Sequence, residues 1–247
     1  MNSEATRFFA TPTQLRMAHA IEQGDTLAIE TLLREHAVAP NEYGLVPHEQ
    51  KGDENPISFL TYAVMVRSKP AIEALLSGQA DPNYRTPDGW SAMAEAARSP
   101  DDSLLPLLLS RGGDFNIKST GGRPIAFVSY LSGHWPRTEM LLDRGADINA
   151  TDSKEDTLLM VLANLNDYPR MLQLLHRGAD PTITSGKNKV SVGWTVQDSA
   201  GRLTPEREHS RQQVIMALEA KGIRFPVPRP AVYRWDPEQK KFVLPAQ

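Results

Sequence analysis

One short phrase is written five times in this chain, and its spacing limits what the chain can fold into. The copies are LREHAVAPN (33–41), LLSGQADPN (75–83), LLSRGGDFN (108–116), LLDRGADIN (141–149) and LLHRGADPT (174–182), with a degraded sixth in LEAKGIRF (218–225). The residues that close the phrases, Asn41, Asn83, Asn116, Asn149 and Thr182, are separated by 42, 33, 33 and 33 positions. Self-similarity at a fixed period marks a repeat array, in which each unit has an apolar flank that only a neighbouring unit can cover.

One unit can be read residue by residue. In RTEMLLDRG (137–145), apolar Met140, Leu141 and Leu142 follow a polar start, and Gly145 after Arg144 predicts a left-handed helix stop. The next residues, 146–149, read as extended, and TDSK (151–154) is turn chemistry. Thr157 ahead of Leu158, Leu159 and Met160 reads as an N-cap opening an apolar helix. The unit is therefore helix, hairpin finger, helix.

With its paired leucines, Gly-Ala-Asp turn and closing Asn, the phrase resembles the ankyrin repeat. The other half of that motif is matched more loosely by GWSAMAEAA (89–97), GRPIAFVSY (122–130), EDTLLMVLA (155–163) and GWTVQDSA (193–200). The resemblance covers 13–225 and implies an all-α fold, an ankyrin-repeat solenoid of about six helix-turn-helix units with finger hairpins. Residues 1–12 are then an N-terminal extension. Residues 226–247 form a C-terminal hairpin cap, because AVYRWDPEQKKFVL (231–244) alternates apolar and polar around an Asp236-Pro237 turn.

The same resemblance implies a non-catalytic protein-binding module whose partner is another protein; a family defined by its scaffold says little of which one. In being short and standing alone, the chain resembles single-domain bacterial ankyrin proteins. Some of these are immunity proteins that neutralise a secreted toxin, including phospholipase effectors of the type VI secretion system. A general adaptor or stress-protection ankyrin is the alternative. The alternative from another class is an enzyme with an unrecognised site in the enlarged 41–56 finger.

Catalytic signatures are absent from the sequence. No two of the six histidines stand at i,i+4, and there is no cysteine to complete a zinc site or act as a nucleophile. Ser185-Gly186-Lys187-Asn188 lacks the upstream glycine and the hydroxyl of a phosphate loop, and no Gly-x-Ser-x-Gly elbow occurs. The expectation is no enzyme, no cofactor and no metal. Asp101-Asp102 reads as helix N-capping before Leu104, and Asn149-Ala150-Thr151, a glycosylation sequon, as the structural Asn of the repeat. A formal net charge of −3 gives no basic field for nucleic acid, and no apolar run reaches eighteen residues. The chain reads as soluble, without membrane insertion and monomeric when unbound: cytoplasmic as the sequence stands, periplasmic if a leader has been removed.

Departures from the repeat locate the expected binding surface. The first interval is nine residues too long, largely in EYGLVPHEQKGDENP (42–56), and a second excess of about ten is split between 184–192 and 200–210. Four basic against nine acidic side chains up to Leu60 give about −5 there, against about +2 for the remainder. Glu42, Glu49, Asp53 and Glu54 are expected to face a basic region of the partner. In the unit from Thr86, the ankyrin positions that vary and face partners correspond to Arg85, Pro87, Asp88, Trp90, Arg98 and Ser99. Adding 33 carries them to Lys118, Thr120, Gly121, Arg123, Leu131 and Ser132, and adding 66 to Thr151, Ser153, Lys154, Asp156, Asn164 and Leu165. Trp90 and Arg123 are expected as central anchors, being of the types enriched at hot spots, with Arg85, Asp88, Arg98, Lys118, Leu131, Lys154 and Asp156 around them. Trp194 is equated with Trp90 in the sixth unit. Burial between repeats is the competing fate of both indoles.

Overall fold

The computed structural model describes residues 4–44, 56–186, 189–201, 203–230, 234–236 and 241–243. Among these lie twelve α-helices that run in pairs. Residues 1–146 form one compact unit and 147–247 a second. The first holds α1 (Pro12–Gln23) with α2 (Thr26–Arg34), α3 (Phe59–Met65) with α4 (Lys69–Ser77), α5 (Ala92–Arg98) with α6 (Leu104–Ser110), and α7 (Ile125–Leu131) with α8 (Trp135–Asp143). The second holds α9 (Leu158–Asn164) with α10 (Tyr168–His176), and α11 (Val192–Asp198) with α12 (Pro205–Ala220). Helices α3, α5, α7 and α9 begin 33 residues apart, so the period written in the turns is also the period of the helices.

Local chemistry sets where these helices start and stop. The side chains of Ser58, Ser91, Thr157 and Ser191 accept from the N–H groups of Thr61, Ala94, Met160 and Trp194, each at 3.2 Å. Each cap satisfies one otherwise unpaired helix donor and contributes about 1 kcal/mol. At the other end Gly145 has φ 97°, a conformation that a Cβ would strain, and it ends α8 as its place in the sequence predicts.

The repeated phrase has a specific task at each polar position. Asp81, Asp114, Asp147 and Asp180 accept from the N–H two residues on, those of Asn83, Asn116, Asn149 and Thr182, at 2.8, 2.7, 2.9 and 2.8 Å. The aspartate closes the turn. The asparagine stitches units together: Asn41 Oδ1 accepts from the Asp81 N–H (2.8 Å), Asn83 Oδ1 from Asp114 (2.7 Å) and Asn149 Oδ1 from Asp180 (2.9 Å). These side chains satisfy backbone donors in the turns, so the spacing of the phrase is a hydrogen-bonding requirement.

In the first unit α1, α3, α5 and α7 pack side by side. Small residues allow the close approach: Ala92, Ala94, Ala96 and Ala97 of α5 are all buried. The segment before α1 folds onto this unit from residue 4 onward, with Phe9 stacked on Phe59 (4.8 Å, 15°) and edge-on to Tyr62 (5.3 Å). The ends of the enlarged first finger pair as an antiparallel ladder, β1 (Tyr43–Gly44) against β2 (Ile57–Ser58). A Cβ on Gly44 would overlap the Phe8 carbonyl, so this backbone approach requires glycine.

Asp101 does not cap α6. Its carboxylate accepts from the Ser103 N–H (2.9 Å) and hydroxyl (2.5 Å), and Ser103 stands at the cap position. Those bonds, the hydroxyl first, hold the Asp101 carboxyl below the usual range. Asp102 turns instead to Arg137.

In the second unit α9 packs against α10 and α11, and α12 against α10 and α11. The buried Tyr168 hydroxyl bonds Asn166 (2.7 Å) and Ser199 (2.8 Å). The expected hairpin forms as β3 (Arg234–Asp236) antiparallel to β4 (Lys241–Val243), with Trp235 opposite Phe242; its turn lies outside the described residues. Segment 223–227 also lies against α11: the Gln197 amide exchanges two bonds with the Val227 backbone (2.7 and 3.1 Å), and Ile223 and Val227 face Gly193.

Candidate partner-binding groove

The finger before α5 is braced from within. Arg85 bridges Ser91, and the Asp88 carboxylate accepts from the Thr86 hydroxyl (2.5 Å) and the Trp90 N–H (3.2 Å). Asp88, expected to face a partner, thus holds the finger in shape. The brace sets Trp90 immediately before the Ser91 cap, beside α5. At the far end of that helix the Arg98 guanidinium lies over the indole, 4.5 Å from the ring centroid, a geometry that attracts a cation to the ring face. Glu95 holds Arg98 in place, with Nε and one terminal nitrogen at 2.8 and 2.6 Å. The Trp90 indole N–H is shut off from solvent and has no acceptor among the described residues.

Across from this assembly, the next finger presents Arg123 in the register of Trp90, and α7 ends in Leu131, 47% exposed, in the register of Arg98. Between them runs a groove of about 280 Å³, with Ala94 and Val128 among its apolar walls and Ser119, Thr120 and Ser132 as its hydroxyls. Trp90, Arg98, Arg123 and Leu131 are therefore brought together on one surface. Glu95 and Val128 also line it and were not among the expected residues; the i,i+3 spacing of Glu95 and Arg98 was the available signal.

The remaining expected residues stand elsewhere. Arg85 is exposed on its finger, with its guanidinium over Gly89, and Lys118 is exposed on the next finger. Glu42 is turned inward: its carboxylate accepts from the Gln14 side chain (2.9 Å) and the Ala39 N–H (3.0 Å) and ties the first finger to α1. Glu49, Asp53 and Glu54 lie outside the described residues. In the second unit Lys154 is exposed, while the Asp156 carboxylate accepts from the Ser185 hydroxyl and braces the second enlarged finger. Trp194 does not occupy the place of Trp90. It is three residues past the Ser191 cap, inside α11 and equivalent to Ala94, because Val190 is the residue that precedes this cap. Among the described residues no group of three or more His, Asp or Glu side chains could hold a metal ion, and no helix is long and apolar enough to cross a membrane.

No family model matches the chain. Among curated proteins it is similar to Protein PhlB of Serratia liquefaciens, at 33% identity over 123 residues; these make up 49% of this chain and 49% of PhlB, so the match spans about half the length of that relative. Among solved structures it is similar to the crystal structure of the ankyrin repeat domain of Bcl-3, a unique member of the IkappaB protein family. That likeness has a TM-score of 0.65 and 19% identity and covers 82% of this chain and 85% of that one. The fold is therefore the ankyrin-repeat fold.

Proposed function

We propose that the protein binds and neutralises a protein partner without catalysis, as an inhibitor or immunity protein of a secreted phospholipase-type toxin, and that the groove between α5 and α7 is where it docks. One observation carries the choice of surface: Trp90 and Arg123, equivalent in the repeat register, flank a single groove together with Arg98 and Leu131. Trp and Arg are the types that dominate binding energy at interfaces. A repeat scaffold that keeps its turns constant leaves such positions free to vary. The immunity role rests on the resemblance to single-domain bacterial ankyrin proteins.

Co-expression with a candidate phospholipase toxin tests the role, and kinetics of the captured pair test the surface. Trp90→Ala and Arg123→Ala should each accelerate dissociation and cost about 2 kcal/mol, roughly thirtyfold in affinity. Unchanged kinetics for both would remove the groove as the docking site. Binding without relief of toxicity would favour the adaptor reading.

A further inference from the structure

The charged side chains that line the groove are two arginines, Arg98 and Arg123, against one carboxylate. Glu95 is the carboxylate that lines it, and its 10% exposed side chain is already paired with Arg98. Asp88, on the adjoining finger, is engaged by Thr86 and the Trp90 backbone. Arg123 is exposed, and its guanidinium enters no hydrogen bond or ion pair among the described residues. Beside Arg123 stand aliphatic surfaces, the half-exposed Leu131 and Val128.

Three kinds of occupant compare differently against that lining. A basic segment would bring its cation beside Arg123 and find Glu95 already neutralised. A purely apolar segment would cover Arg123 and leave it uncompensated, which is unfavourable for a desolvated charge. An acidic side chain forms a charge-assisted pair with the Arg123 guanidinium and compensates the unpaired positive charge. We propose that the groove takes an acidic-aliphatic segment of a protein partner, with a Glu or Asp side chain on Arg123 and a neighbouring aliphatic side chain on Leu131 and Val128. This rests on the reading of the groove as the docking site and specifies the chemistry of what enters it.

The test follows the indole N–H resonance of Trp90 in the full-length ¹⁵N-labelled protein, assigned by its loss in Trp90→Phe. The probes are a blocked Ala-Glu-Leu-Ala peptide, its Gln and Lys counterparts, and a short single-stranded DNA. The Glu peptide should shift the resonance saturably, and the Gln and Lys peptides should bind at least about tenfold more weakly, the worth of a hydrogen bond to a charged group. Arg123→Gln, a surface change read against an otherwise unchanged spectrum, should abolish the preference for Glu over Gln. A preference for Lys, tighter binding of DNA, a preference that survives Arg123→Gln, or silence towards all four probes overturns the proposal. Equal shifts by all three peptides would overturn the acidic occupant and leave the docking surface standing. Silence combined with wild-type partner kinetics for Trp90→Ala would overturn both.

Discussion

The Arg137 guanidinium meets the Asp102 carboxylate at 2.5 Å, yet the two side chains are unequally placed, Arg137 being 3% exposed and Asp102 85%. The same guanidinium donates through Nη1 to the carbonyls of Ala96, Ala97 and Ser99 at 3.1, 2.8 and 2.9 Å. These are carbonyls at the end of α5, which helix geometry leaves without partners. Arg137 is therefore a cap supplied by the neighbouring helix pair, and Asp102 balances its charge from the solvent side. Arg137→Met should destabilise the protein by about 3 kcal/mol, because buried carbonyls lose their donor. Asp102→Asn should cost less than about 1 kcal/mol, as for an exposed ion pair. Urea denaturation of the two variants checks this, and equal losses would mean that the ion pair, not the carbonyl capping, is what matters.

Asn83 uses both ends of its side-chain amide. Its Oδ1 accepts from Asp114 and its Nδ2 donates to the Gly112 carbonyl at 2.9 Å. Asn83→Ala removes both bonds and should cost about 2 kcal/mol, at about 1 kcal/mol for each. Asn83→Asp keeps the acceptor alone and should fall between. Thermal melts of the pair would contradict the stitching role if Asp were as costly as Ala.

Much of this architecture was legible because its causes are local. The Thr157 cap, the Gly145 stop and the Asp-x-Asn turns act within a few residues, so their spacing survives in the one-dimensional record. Adding 33 to Trp90 and Arg98 led to Arg123 and Leu131, and the four share the groove because the register of the helices obeys the same period. Where the period breaks, motif matching failed. Gly193-Trp194 repeats Gly89-Trp90 in sequence, but the α11 cap is Ser191, so Trp194 lies inside the helix rather than before it. The inward turn of Glu42 and the pairing of Arg137 with Asp102 were not readable, since their partners stand 28 and 35 residues away with no repeated spacing to announce them.

Glu208 couples the last helix to pH. Hydrogen bonds from Arg211 and then Gln212 lower its carboxyl from 4.5 to about 2. The folded value lies below the unfolded one, so the contribution is complete above the unfolded value of about 4.5 and fades as pH falls towards 2. Because the Glu208 side chain is 37% exposed, the effect is modest. Glu208→Gln should lower Tm at neutral pH and flatten the fall of Tm through the acid window. A variant whose Tm falls as steeply as wild type would show that the pair does not form in the folded protein.

Gly113 stands where three of the other phrases carry Ala80, Ala146 and Ala179, and the first carries Val38. The repeat alone suggests that Gly113→Ala would stabilise the chain, since alanine restricts the unfolded state by about 0.4–1 kcal/mol relative to glycine. Packing predicts the reverse. A Cβ at this position would lie 2.5 Å from Met93 Sδ and 2.9 Å from both Met93 Cε and the Leu108 carbonyl oxygen. Met93 is buried in α5, and the units with alanine in the turn have Leu60, Ala126 and Leu159 in its place. The longer thioether fills the space that the missing methyl leaves. Gly113→Ala alone should therefore cost about 1–3 kcal/mol, as overpacking does, and Met93→Leu alone less than about 1.5 kcal/mol. The double variant should recover most of the loss, with a favourable coupling of about 1 kcal/mol between the two positions. Denaturant melts of the four proteins in the cycle decide it: additive losses would show that the residues do not share the space, and a stabilised Gly113→Ala would show that the turn has room for the methyl with Met93 in place.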